Sequence, residues 1–183
     1  MITKFKEKPK PEEVFSNLIN AGSYILEEEV FAMMPEGKFS IEREIFPLLA
    51  EQGELSGFPF EGYFIDAGTP DSWLEAVEVA IDNSRYNAGQ VVDGSWFASQ
   101  PSKNVQGGSM ISDSVEIQEN CSLTRSSILS GATIGRSSKI ENCLIGNNAF
   151  IGEKCSLEGV IVAHDGNVPA GTSLCGGTWP PSD

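Results

Sequence analysis

Twelve aliphatic residues in the second half of the chain fall on one lattice. Ile111, Ile117 and Leu123 recur 17 residues later as Ile128, Ile134 and Ile140, then as Ile145, Ile151 and Leu157, then as Val162, Val168 and Leu174. Within a round the steps are six, six and then five residues. Helices and ordinary strands repeat every ~3.6 or ~2 residues, so neither accounts for this spacing. A long fixed period predicts a stack in which each round is one coil. The positions two before the aliphatics are mostly small: Ser109, Cys121, Ala132, Ser138, Ala149, Cys155, Gly166 and Thr172. Small inward side chains suit the narrow corners of a triangular parallel β-helix with three short strands per coil. At ~4.8 Å between stacked strands, four such coils make a prism of roughly 20 Å.

The lattice also assigns the cysteines. Cys121 and Cys155 share one column two coils apart, where a small core filler is expected. The four cysteines form no CxxC pair, and the chain has a single histidine, His164. Neither a zinc site nor a disulfide framework is therefore indicated.

The first region, residues 1 to 87, has mixed periodicities and reads as α/β. Met1 to Phe5, Leu18 to Leu26 and Phe58 to Ile65 are strand candidates. Ser40 followed by Glu42 and Glu44 predicts a helix start, and Gly53 a stop. Ile45, Leu48 and Leu49 would face the core, and Pro47 would kink or divide the helix. Thr69-Pro70-Asp71 predicts a second helix start, with Trp73, Val77, Ala80 and Ile81 as its buried stripe to about residue 83. Residues 88–104 are expected to be a linker, and 105–183 the β-helix.

Charge and hydropathy remove several functions. The formal charge is −14, from 26 acidic and 12 basic side chains. A nucleic-acid or anionic-membrane surface would need clustered Lys and Arg. The only basic cluster is Lys4, Lys6, Lys8 and Lys10. No apolar run reaches the ~18 residues of a membrane span. The first 15 residues are too polar for a secretory leader, so a cytoplasmic location is the default expectation.

Three segments carry chemistry. In Phe5-Lys6-Glu7-Lys8-Pro9, Glu7 can accept from hydroxyls and Lys8 can meet a phosphate as a point charge. In Asn20-Ala21-Gly22-Ser23-Tyr24, Asn20 can donate to and accept from hydroxyls, and Gly22 lets a ligand approach the backbone. In Gly62-Tyr63-Phe64-Ile65-Asp66-Ala67-Gly68-Thr69-Pro70, Asp66 precedes a helix start, where a carboxylate suits Mg²⁺ shared with substrate phosphates. Asp71 fits a helix-dipole partner.

In order and spacing, and with the coils that follow, these segments resemble sugar-phosphate nucleotidyltransferases. Among their branches the chain looks most like mannose-1-phosphate guanylyltransferases, with the thymidylyl- and uridylyltransferases for glucose 1-phosphate next. The resemblance covers nearly the whole chain, least well over 88–104. It implies a partial nucleotidyltransferase (Rossmann-like) domain followed by a left-handed parallel β-helix. It also implies catalytic roles for Lys8 and Asp66, sugar-phosphate binding by Glu7, Lys8, Asn20 and Gly22, and Mg²⁺ on Asp66. The implied reaction is attack of a sugar 1-phosphate oxygen on the α-phosphorus of a nucleoside triphosphate, releasing pyrophosphate. Such transfers depend on positioning and charge neutralisation.

The family's Gly-rich triphosphate loop and its second metal-binding Asp have no counterpart here. The chain is thus expected to begin in mid-fold and to need a complementary N-terminal half or subunit. Flat coil faces predict a homo-oligomer. Two further readings stay open: a non-catalytic regulatory or scaffold subunit, and a hexapeptide acyltransferase. The second would use His164 as general base, against the plainer role of an exposed coil-corner residue.

Overall fold

The computed structural model describes residues 1–86 and 88–181, so the expected boundary at Asn87 falls outside the described residues. The chain folds as two compact units, the first Met1–Phe64 and the second from Ile65 onward.

The second unit is a parallel β-solenoid with three walls. The first wall stacks Ser95–Phe97, Met110–Ile111, Ser127–Ile128, Leu144–Ile145, Ile161–Val162 and Thr178–Trp179, with Gln90–Val92 antiparallel at its start. The second stacks Glu116–Ile117, Thr133–Ile134, Phe150–Ile151 and Asn167–Val168. The third stacks Val105–Gln106, Ser122–Thr124, Lys139–Glu141, Ser156–Glu158 and Ser173–Cys175. Register follows the lattice: Ile111 pairs with Ile128, Ile117 with Ile134 and Leu123 with Ile140. Ten of the twelve lattice aliphatics are buried, with Ile117 and Leu174 packed partly buried against them. Each such side chain contributes about 1.5–3 kcal/mol by leaving water.

The columns run further than the aliphatic lattice. Phe97 pairs with Ile111, Val105 with Leu123, and Trp179 with Val162. The stretch expected to link the regions therefore includes two strands, and its aromatic Phe97 is 2% exposed. An aromatic in an aliphatic column hides that rung from a search for Ile, Leu and Val.

The expected helix after Thr69 is α3, Pro70–Asp82 in the structure; two shorter helices, α1 (Glu28–Phe31) and α2 (Phe46–Gln52), precede it. Thr69 Oγ1 accepts from the Ser72 amide at 3.2 Å, the capping interaction the sequence predicts. Leu74, Val77 and Ile81 make the buried stripe. Trp73 lies outside it, 39% exposed, with its Nε1–H donating to Ser127 Oγ of the first wall at 3.1 Å. Glu78 Oε1 takes Arg125 Nε at 3.0 Å, so a hydrogen bond and an ion pair fasten α3 to the solenoid wall.

The first unit has a much smaller core. Ile45, Phe46 and Leu49 are buried, with Phe5, Leu26, Val30, Met33, Met34, Phe39, Ile41 and Leu55 around them. The expected helix over 41–51 divides, as Pro47 requires: a π-turn at Ile41–Ile45 hands over to α2. Gly53, at φ +74°, closes α2. Ser40 stands at the predicted N-cap, but its hydroxyl donates to Glu42 Oε2 at 2.9 Å and caps no amide. A charged acceptor outcompetes the helix end. Leu48 is 45% exposed, since the π-turn rotates it off the face that Phe46, Leu49 and Ala50 bury.

None of the three strand candidates forms a ladder. No strand precedes Gln90 among the described residues. Ile2 N–H donates to Leu55 C=O at 2.7 Å, but no run of paired residues extends that bond. A strand exists only with a partner to bond, and apolar periodicity reports burial rather than pairing. Leu18, Ile19, Ile25 and Phe58 are exposed.

Candidate functional site

The Phe5–Pro9 segment is held at both ends. Phe5 meets Phe46 edge-on, ring centres 5.3 Å apart at 83°. Lys6 Nζ pairs with Glu13 Oε1 at 2.6 Å, and Glu13 Oε2 accepts the Lys10 amide at 3.0 Å. The Lys6 bond, then the Lys10 amide, holds the Glu13 carboxyl below the usual range. Lys6 is thus committed to folding the loop, and Glu7 and Lys8 at its bend are not. Glu7 is half-buried and Lys8 exposed, and neither has an ion-pair partner among the described residues. Lys8 sits at φ +48°, a left-handed conformation rare for a non-glycine residue.

The Asn20–Tyr24 segment is held by the same ring. Tyr24 packs edge-on to Phe46 at 4.8 Å and 79°. Asn20 Oδ1 accepts the Gly22 amide at 3.1 Å, and Asn20 Nδ2 donates to the Tyr24 hydroxyl at 2.6 Å. Tyr24 Oη donates onward to Glu42 Oε1 at 3.2 Å. Beyond that bond Gly22 continues the turn at φ +71°, a left-handed conformation glycine takes without strain. Burial raises the Tyr24 phenol, and the carboxylates of Glu42 and Glu7 push the same way, against the Asn20 bond. The Glu42 carboxyl is held low by its own backbone amide, then by Ser40 and Tyr24.

The structure therefore ties Asn20 to the Tyr24 phenol and the Gly22 amide, and the phenol to Glu42, while Glu7 and Lys8 lie on the other loop seated on Phe46. Sequence reasoning missed the centre of this cluster. Tyr24 reads as one apolar residue of a motif and Glu42 as a first-turn acid. Nothing in local spacing relates residues 18 positions apart that meet only through folding.

Asp66 belongs to the second unit and is exposed. It precedes the Thr69 cap, and its Oδ1 lies 3.2 Å from where a Gly68 Cβ would stand. No group of three or more His, Cys, Asp or Glu side chains that could hold a metal occurs among the described residues. His164 is exposed at a coil corner, where its Nδ1 accepts the Asn147 amide at 2.8 Å. That bond spends the nitrogen lone pair on the coil. No helix is long and apolar enough to cross a membrane among the described residues.

Residues 1–83 match the family model described as Nucleotidyl transferase, and residues 98–181 that described as GMPPB C-terminal domain. Over these two stretches the chain is similar to the nucleotidyltransferase family, with its β-solenoid matching the second part.

Within that family its similarity is to mannose-1-phosphate guanyltransferases. It is 34% identical to that of Eremothecium gossypii, over 90% of this chain and 48% of the relative. It is 30% identical to the mannose-1-phosphate guanylyltransferase catalytic subunit beta of Danio rerio, over 88% and 47%. The Schizosaccharomyces pombe enzyme is 28% identical over 90% and 48%. The chain spans about half the length of the curated relatives it matches.

Proposed function

We propose that this chain is the sugar 1-phosphate side of a nucleotidyltransferase that joins a nucleoside triphosphate to a sugar 1-phosphate, most like a mannose-1-phosphate guanylyltransferase. The observation that carries the reading is that the loop bearing Glu7 and Lys8 and the loop bearing Asn20 and Gly22 are both seated on the Phe46 ring, with Asn20 tied to the Tyr24–Glu42 pair. The two loops together offer acceptors and donors for hydroxyls and the Lys8 ammonium, the combination a sugar phosphate requires. Glu7 accepts from hydroxyls, Asn20 both donates and accepts, and Lys8 neutralises the phosphate and holds its attacking oxygen in line. The exposed Gly22 turn leaves room for the sugar ring at the backbone.

Asp66 is one exposed carboxylate, which fits Mg²⁺, an ion that takes one or two protein carboxylates and fills its shell with phosphate oxygens and water. When bound, the ion neutralises phosphate charge; Asp66 contributes one oxygen ligand. In this reading residues 1–87 are the sugar-binding half and 105–183 the assembly module, joined through 88–104. The nucleotide is held by a complementary N-terminal half, and copies associate through the solenoid. The setting is cytoplasmic.

The test is pyrophosphate release from GTP and mannose 1-phosphate, with the nucleotide-binding half of a relative supplied in trans. Release that requires both halves and disappears in Lys8→Ala is the expected result. No release with any nucleotide and sugar 1-phosphate would leave the scaffold reading in its place. The use of His164 Nδ1 as an acceptor within the coil favours a structural role over an acyltransferase base.

A further inference from the structure

Asn20 has two N–H donors and two acceptor lone pairs on its side-chain amide. The fold uses half of them: Oδ1 takes the Gly22 amide and Nδ2 gives one hydrogen to Tyr24 Oη. Which way the amide faces is set at both ends: the Gly22 N–H can only donate and claims Oδ1, and the Nδ2 side is set through Tyr24. Glu42 is a carboxylate and can only accept, so Tyr24 must spend its single proton on Glu42 Oε1. Tyr24 Oη is left able only to accept, and so demands the Asn20 nitrogen. A flipped amide would set Nδ2 against the Gly22 N–H and Oδ1 against a phenol with no proton to give. Ser40 Oγ donates to the other Glu42 oxygen at 2.9 Å, which stops the carboxylate from turning. Phe46 holds the Tyr24 ring from the side.

We propose that Tyr24 and Glu42 are positioning residues that fix the polarity of the Asn20 amide, so that it presents one N–H donor and one oxygen lone pair to the sugar. This rests on the reading that Asn20 contacts the sugar. An amide edge of fixed polarity suits two neighbouring hydroxyls, one accepting and one donating. It discriminates hexose 1-phosphates by the geometry of that pair. Neither Tyr24 nor Glu42 touches the sugar; both act through Asn20.

The test uses the full chain, ¹⁵N-labelled, with mannose 1-phosphate as the probe. The Asn20 side-chain amide resonances are followed by NMR and binding by calorimetry. Tyr24→Phe and Glu42→Gln should each displace the Asn20 amide resonances. Each should also weaken mannose 1-phosphate about 10-fold, the scale of one hydrogen bond lost from an oriented group. The exposed Glu12→Gln, which removes no hydrogen bond of the Asn20–Tyr24–Glu42 chain, should change neither. An unmoved Asn20 resonance in the variants would overturn the proposal, as would unchanged affinity with a moved resonance. Should Glu42→Gln fail to fold, the isosteric Tyr24→Phe decides. If the unsubstituted chain binds no sugar 1-phosphate, the sugar-site reading fails, and the resonances still report whether the relay orients Asn20.

Discussion

Cys121, Cys143 and Cys155 are buried and Cys175 is exposed. The buried thiols serve as small fillers with a weak donor: Cys121 Sγ reaches Gly135 C=O at 3.1 Å and Cys155 Sγ reaches Pro169 C=O at 3.2 Å. Burial pushes the Cys143 thiol up, away from the reactive thiolate. A thiol reagent counted by mass spectrometry should label Cys175 alone in the native chain and all four cysteines in denaturant. Native labelling of Cys121 or Cys155 would contradict the column assignment. At the candidate site, the lowered Glu42 carboxyl sets a pH dependence. A carboxyl whose folded pKa lies below its unfolded value stabilises the fold above the unfolded value, and that stability is lost as pH falls through the folded one. Hydrogen-exchange protection around Tyr24 and Glu42 should therefore decline below the ordinary carboxylate range, and Glu42→Gln should flatten the decline. The columns of small residues were legible from spacing alone. The Asn20–Tyr24–Glu42 chain was not, because its members are joined by tertiary hydrogen bonds.

At the scale of elements, the solenoid carries a second periodic signal beside the aliphatic one. Positive φ recurs every 17 residues at Ser114, Gly131, Asn148 and Asp165, at Asn120, Ser137, Lys154 and Gly171, and at Arg125, Asn142, Gly159 and Gly176. These are the corners, and their Asn, Asp and Gly content shows why they turn there. Lys154, at φ +57°, is an unfavourable occupant. Lys154→Gly should be near neutral, whereas Lys154→Val should cost about 1–2 kcal/mol in urea unfolding. Close stacking imposes a different demand at Gly135, where an added Cβ would lie 2.6 Å from Gly152 C. Gly135→Ala should destabilise the solenoid by about 1–3 kcal/mol, as a backbone neighbour cannot move aside cheaply. Ile140→Ala, at a fully buried rung, should cost about 2–5 kcal/mol. The helix starts at Thr69 and the break at Pro47 were readable because caps and prolines act locally. The strand candidates of the first unit failed because pairing is not a local property.

The two units differ in what holds them. The solenoid core runs continuously from Phe97 to Val168, while the first unit buries Ile45, Phe46 and Leu49 as its cluster. Stability should follow that difference. In native-state hydrogen exchange the amides of residues 1–64 should open at lower denaturant than those of the solenoid. Simultaneous opening would show stronger coupling than the separate cores provide. Function is proposed to divide nearly the same way, with sugar phosphate recognised by the small unit and assembly through the solenoid, although Asp66, the proposed Mg²⁺ ligand, belongs to the second unit. Glu7, Lys8 and Asn20 are proposed to form a site for a sugar 1-phosphate. The decisive measurement is calorimetric titration of mannose 1-phosphate into the chain. Saturable one-site binding that Lys8→Ala abolishes is expected; no saturable heat, or binding that Lys8→Ala leaves unchanged, would rule the site out.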